Sequence, residues 1–143
     1  MKIINSVEEM HIFGEDLAHK LKIGDVVFLI GGLGAGKTTL TQGIAKGLGV
    51  KNRIVSPTFT VARDYGILLH IDAYRSVTVG QDLSAVLDEL EAAGLLEDLV
   101  SKITVIEWGE TFAEVLAPHN RYEVNIEIGD KETERKVDVH YYE

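Results

Sequence analysis

The sequence predicts an α/β fold with a mostly parallel central sheet and an antiparallel C-terminal hairpin. Three observations predict it. Val26-Val27-Phe28-Leu29-Ile30 is a short, continuous, largely β-branched apolar run, the pattern of a parallel strand buried on both faces. Apolar residues at helical spacing flank that run on both sides. Near the end, segments 121–128 and 135–142 alternate in polarity and are joined by Gly129-Asp130-Lys131-Glu132, a hairpin signature. Strands alternating with helices imply layers packed on a sheet.

The elements follow in order. Ser6-Val7-Glu8-Glu9 reads as a capping box, with serine at the cap and glutamate three positions on. Val7, Met10, Phe13, Leu17, Ala18 and Leu21 then predict a helix over 7–21. Gly24-Asp25 predicts a turn before the strand at 26–30. A glycine-rich loop at 31–36 leads into a helix marked by Leu40, Ile44, Ala45 and Leu48 and ended by Gly49. Segments 54–62 and 67–72 read as strands separated by Asp64-Tyr65-Gly66. Leu83, Val86, Leu87 and Leu90 mark a helix, which Gly94 breaks before a short successor at Leu95, Leu96 and Leu99. Ile103-Thr104-Val105-Ile106 is a second buried-type strand. Phe112, Val115 and Leu116 predict a helical turn before Pro118.

Composition narrows the class. The chain has 143 residues, 45% hydrophobic and 26% charged, which predicts one globular domain over 1–143. It has no cysteine, which excludes disulfides, thiolate metal sites and cysteine nucleophiles and fits a reducing compartment. Its apolar runs fall far short of the roughly 18–20 residues of a membrane span, and the first residues lack the apolar core of a signal peptide. The expected location is cytoplasmic. A net charge of −9 argues against a protein that wraps nucleic acid by itself. The histidines, at 11, 19, 70, 119 and 140, have no metal-ligand spacing on one helix.

The strongest chemical signal is Gly31-Gly32-Leu33-Gly34-Ala35-Gly36-Lys37-Thr38, which matches G-x-x-x-x-G-K-[ST] between a strand and a helix. That context extends the fold class to a P-loop NTPase-like three-layer sandwich. Glycines let the backbone approach phosphate oxygens. Successive N–H groups form an anion-binding concavity, and the following helix adds the positive end of its dipole. Lys37 supplies charge at the β and γ phosphates, and the Thr38 hydroxyl suits Mg²⁺. The expected nucleotide contacts are Leu33, Gly34, Ala35, Gly36, Lys37, Thr38 and Thr39.

Hydrolysis needs an acid near the metal and a group that orients water. Two apolar strands end in a carboxylate: Leu68-Leu69-His70-Ile71-Asp72 and Ile103-Thr104-Val105-Ile106-Glu107. Ligands gather at the carboxyl ends of parallel strands, so either acid can serve. Trp108 follows Glu107 directly, which suggests a place near the nucleotide. Ser56-Pro57-Thr58-Phe59-Thr60 clusters hydroxyls where a loop can sense a γ phosphate. Ser6 is a candidate for contact with the base.

Together, residues 31–38 with Thr39, Ser56-Pro57-Thr58-Phe59-Thr60, His70-x-Asp72-x-Tyr74-Arg75 and Glu107-Trp108 resemble the TsaE family of P-loop ATPases along the whole chain. Two departures are visible. Asp72-Ala73-Tyr74-Arg75 stands where the family commonly has Asp-Leu-Tyr-Arg, and the segment at 62–66 is short. The resemblance implies an accessory ATPase needed for the threonylcarbamoyladenosine modification of tRNAs that read codons beginning with adenine. It implies action on a complex of TsaB and TsaD, contact with tRNA only through that complex, and ATP and Mg²⁺ as cofactors. Lys37 would then bind phosphates, Thr38 and Glu107 would hold Mg²⁺, and Asp72 would support hydrolysis or exchange roles with Glu107. Thr58 and Thr60 would belong to a switch-like loop.

Two other functions fit the phosphate loop alone. A nucleotide or small-molecule kinase needs an arginine-rich lid, which five scattered arginines do not supply. A nucleotide-gated binding module would bind ATP with negligible turnover. The acid-rich stretch at 82–98 reads as a solvated helical face or as a docking face for a basic partner. Gly43 and Gly47, four apart, predict close packing of their helix on the sheet.

Overall fold

The computed structural model describes residues 1–32, 34–52, 54, 62–72, 91–92, 94–107 and 120–143, with the backbone alone at 72, 95, 96 and 98. The expected helix at 83–90, the helical turn at 112–116 and most of the expected strand at 54–62 lie outside them. So do Leu33, Thr58, Thr60 and Trp108.

Ten elements are described: β1 (Lys2–Ile4), α1 (Val7–Ala18), β2 (Val26–Ile30), α2 (Lys37–Gly47), β3 (Ala62–Asp64), β4 (Leu68–Asp72), α3 (Leu95–Ser101), β5 (Ile103–Glu107), β6 (Arg121–Ile128) and β7 (Arg135–Tyr142). The seven strands form one sheet in the order β1-β7-β6-β2-β5-β4-β3. Its centre is parallel: β2 lies between β6 and β5, and β5 pairs with β4. Both edges are antiparallel, through the β6–β7 hairpin and β1 on one side and β3 on the other. The expected C-terminal hairpin is thus present over the expected residues, and a second antiparallel edge accompanies it.

Local chemistry explains the ends. Ser6 caps α1, its hydroxyl accepting from the Glu9 N–H at 3.1 Å. The Glu9 carboxylate bonds the N–H of Asn5, one residue before the position a capping box uses. α1 stops at Ala18 rather than at 21, because the N–H groups of Lys20 and Leu21 turn to the carbonyls of Leu17 and Ala18, three residues back. Leu21 still packs on the core from that tight turn. Asp64, expected in the separating segment, is the last residue of β3, and the chain reverses at residues 65–67 with the Asp64 carboxylate accepting from the Gly66 N–H. β1 was not expected. Three residues are too few for an alternation signal, and pairing with β7 makes the strand.

Strand alternation sorts the core. Val27, Leu29, Leu68, Val105, Val124, Ile126 and Val137 cluster with Met10, Leu17, Leu40, Ile44 and Ala45 of α1 and α2. Val26, Phe28, Leu69, Ile71 and Ile106 alternate with them and are buried as well, so both sheet faces are covered. Each such side chain contributes about 1.5–3 kcal/mol on burial, against about 1 kcal/mol for a helix cap. The helix–sheet seam therefore dominates local stability. α1 and α2 approach closely because glycines line their contact. A Cβ on Gly14 would lie 2.7 Å from the Leu40 carbonyl oxygen, and one on Gly43 would lie 2.9 Å from the His11 Cα. The expected close packing of Gly43 and Gly47 is real, but its partner is α1, not the sheet.

Candidate functional site

The phosphate-loop motif runs from the end of β2 into the first turn of α2. Gly34 and Gly36 adopt φ of 76° and 113°, a left-handed region closed to most side chains. Gly36 sits at the N-cap of α2 and, having no side chain, places no capping group over the helix N-terminus, the end of a helix that favours anions. The Lys37 side chain is buried and folds back on the loop, donating from Nζ to the carbonyls of Gly31 at 2.8 Å and Gly32 at 2.9 Å.

The parallel centre brings a carboxylate to this loop. Glu107 is the last residue of β5 and the register partner of Leu29 in β2. The Thr38 hydroxyl donates to Glu107 Oε1 at 3.1 Å, and Glu107 is buried. Asp72 ends β4 as the register partner of Glu107, so both sequence-predicted acids stand at neighbouring strand ends. His70 is fully buried, with Nε2 3.3 Å from Glu107 Oε1. That approach lacks hydrogen-bond geometry, and both ring nitrogens are without a hydrogen-bond partner among the described residues.

The donor set fits Mg²⁺. This ion takes hard oxygen ligands and is commonly held by one or two carboxylates together with substrate phosphates and water. Thr38 Oγ1 and Glu107 Oε1 are adjacent and face the same loop, which leaves the remaining positions to phosphate and water. Among the described residues no three acidic, histidine or cysteine side chains cluster as an all-protein metal cage.

A cavity of about 310 Å³ lies on the outer side of the loop. Ser6, Val7 and Met10 form one wall, Gly34 and Thr39 line it from the loop and α2, and Arg135 closes the hairpin side. Arg135 is a residue that the motifs did not mark. Its Nε donates to the Ala35 carbonyl at 3.0 Å and its Nη2 to the Gly34 carbonyl at 3.1 Å. No local spacing could have found it, since about a hundred residues separate the partners.

A family model described as "Threonylcarbamoyl adenosine biosynthesis protein TsaE" matches residues 4–137. The chain belongs to the TsaE family. It is similar to the tRNA threonylcarbamoyladenosine biosynthesis protein TsaE of Streptomyces coelicolor, 43% identical over 128 residues, covering 85% of this chain and 82% of that protein. The TsaE of Bacillus subtilis is 38% identical over 133 residues, covering 89% of this chain and 77% of that one. The crystal structure of Bacillus subtilis YdiB superposes with a TM-score of 0.71 at 29% identity, over 95% of this chain and 80% of that chain. The family thus ties the fold and the phosphate loop to threonylcarbamoyladenosine biosynthesis. Among the described residues no helix is long and apolar enough to cross a membrane.

Proposed function

We propose that this protein binds ATP with Mg²⁺ at residues 31–38 and hydrolyses it to ADP and phosphate as an accessory step of tRNA threonylcarbamoyladenosine formation. One observation carries the reading: Thr38 and Glu107 meet beside the phosphate loop, next to the strand end that bears Asp72. That is the acid–hydroxyl pairing a phosphate-bound divalent ion needs.

Each residue then has a task. Lys37 leaves the carbonyls of Gly31 and Gly32 and neutralises the β and γ phosphates. The N–H groups at the start of α2 receive the phosphate oxygens. Mg²⁺, held by Thr38 and Glu107, supplies charge neutralisation at the phosphates. Asp72 orients the attacking water and accepts its proton as the new P–O bond forms and the bond to the β phosphate breaks. Leu33, Thr58, Thr60 and Trp108 complete the nucleotide contacts. The base lies in the cavity walled by Ser6, Val7, Met10 and Thr39, whose volume sits at the lower end of ligand pockets, about 300–1,000 Å³.

Turnover by the isolated chain is slow. TsaB- and TsaD-type proteins accelerate it, and tRNA is met only through their complex in the cytoplasm. The test is calorimetric titration of ATP and Mg²⁺ into wild type and Lys37→Ala, followed by phosphate release with and without the partner proteins. Micromolar binding that Lys37→Ala abolishes, with partner-stimulated phosphate release, is the expected result. Transfer of phosphate to an acceptor other than water, or binding without turnover in any company, would replace the ATPase reading with a kinase or a gated module.

A further inference from the structure

Arg135 opens β7 as register partner of both Ile128 and Ile4, at the end of the sheet where the phosphate loop emerges. Its guanidinium is spread over two structures. Nη1 donates to the carbonyls of Glu132 at 2.7 Å and Glu134 at 2.9 Å in its own hairpin turn. Nε and Nη2 donate to Ala35 and Gly34. One planar fork thus ties the hairpin to the crown of the loop.

The consequence lies in the peptide planes. In a trans peptide the C=O and the following N–H point in opposite directions. Holding the Ala35 carbonyl toward Arg135 therefore turns the Gly36 N–H away from the hairpin. Holding the Gly34 carbonyl does the same for the Ala35 N–H, which donates inward to the Gly32 carbonyl at 3.2 Å. The segment is otherwise soft, since Gly34 and Gly36 have little steric restraint and much conformational freedom to lose. A charged strut from the start of β7 removes that freedom before any ligand arrives.

We propose that Arg135 is a positioning residue that pre-forms the polyphosphate cradle by holding the carbonyls of Gly34 and Ala35. The proposal rests on residues 31–38 being the phosphate site. It predicts that the energetic effect of Arg135 falls on the phosphate end of the nucleotide, although the side chain also lines the neighbouring cavity.

The experiment is calorimetric titration of ATP and of pyrophosphate, each with Mg²⁺, into wild type, Arg135→Ala and Arg135→Lys, with folding checked by circular dichroism. Arg135→Ala is expected to weaken both ligands by the same factor, about tenfold, the scale of hydrogen bonds to a charged group. Arg135→Lys keeps the charge but not the fork, and is expected between the two; it also carries the test if the alanine variant does not fold. Weakened ATP with unchanged pyrophosphate would overturn the proposal in favour of a contact to the base. Unchanged affinity for both, with only a lower melting temperature, would overturn it in favour of a structural tie. Wild-type protein that binds neither ligand would overturn the phosphate-loop reading, and this proposal with it.

Discussion

Thr38 and Glu107 are 69 positions apart in the chain, yet the threonine hydroxyl donates to the glutamate carboxylate at 3.1 Å. The contact exists because β2 and β5 are parallel neighbours in register, so the loop after one meets the last residue of the other. Glu107→Ala should therefore lower Mg²⁺-dependent phosphate release roughly 100-fold, the loss typical of an aligned charge at a reacting centre. ATP affinity should change less than about tenfold, because the loop N–H groups and Lys37 remain. Steady-state phosphate release and calorimetry on the same preparation check both parts. Normal turnover would remove Glu107 from the metal.

His70 sits fully buried against Glu107 with no hydrogen-bond partner on either ring nitrogen among the described residues. A buried polar group left unpaired costs free energy that an apolar side chain of similar size does not. His70→Leu should keep or raise stability by about 1 kcal/mol in urea denaturation. If His70 also steers the Glu107 carboxylate, turnover should fall about tenfold in the same variant, the scale of a residue behind a metal ligand. Higher stability with full activity would leave His70 as core filling alone.

Gly43 faces the backbone of α1, where a Cβ would crowd His11. Because backbone cannot step aside as a side-chain tip can, Gly43→Ala should cost about 2–3 kcal/mol by forcing the helices apart. A shift of the urea midpoint with unchanged slope is the readout. A neutral outcome would show that α1 and α2 separate without loss.

Asp64 ties the β3–β4 turn to the start of β5. Its Oδ1 accepts from Lys102 Nζ at 2.8 Å and from the Gly66 N–H at 2.8 Å. The Lys102 bond first, then the Gly66 N–H, hold its carboxyl below the usual carboxylate range. A depressed folded value means stability that is present above the unfolded carboxylate pKa and lost as pH falls through the folded one. The pair is half-exposed and screened, so Asp64→Asn should cost under about 1 kcal/mol at neutral pH. The gap to wild type should close in acid and shrink in high salt. Denaturation curves at neutral and acid pH test this, and a gap that survives both would belong to packing.

Much of the molecule is legible one segment at a time. The β2 run, the serine cap of α1, the glycine-lysine-threonine loop and the C-terminal hairpin are set by neighbours a few residues apart, and their physics is local: backbone freedom, side-chain period and capping bonds. What tertiary structure alone decides is non-local. It selects Glu107 as the partner of Thr38, sets Asp72 beside Glu107 by register, turns the glycines of α2 toward α1, recruits residues 2–4 as an edge strand, and carries Arg135 to the phosphate loop. Those choices follow from which strands pair and which faces must be buried together, and no spacing along the chain encodes either.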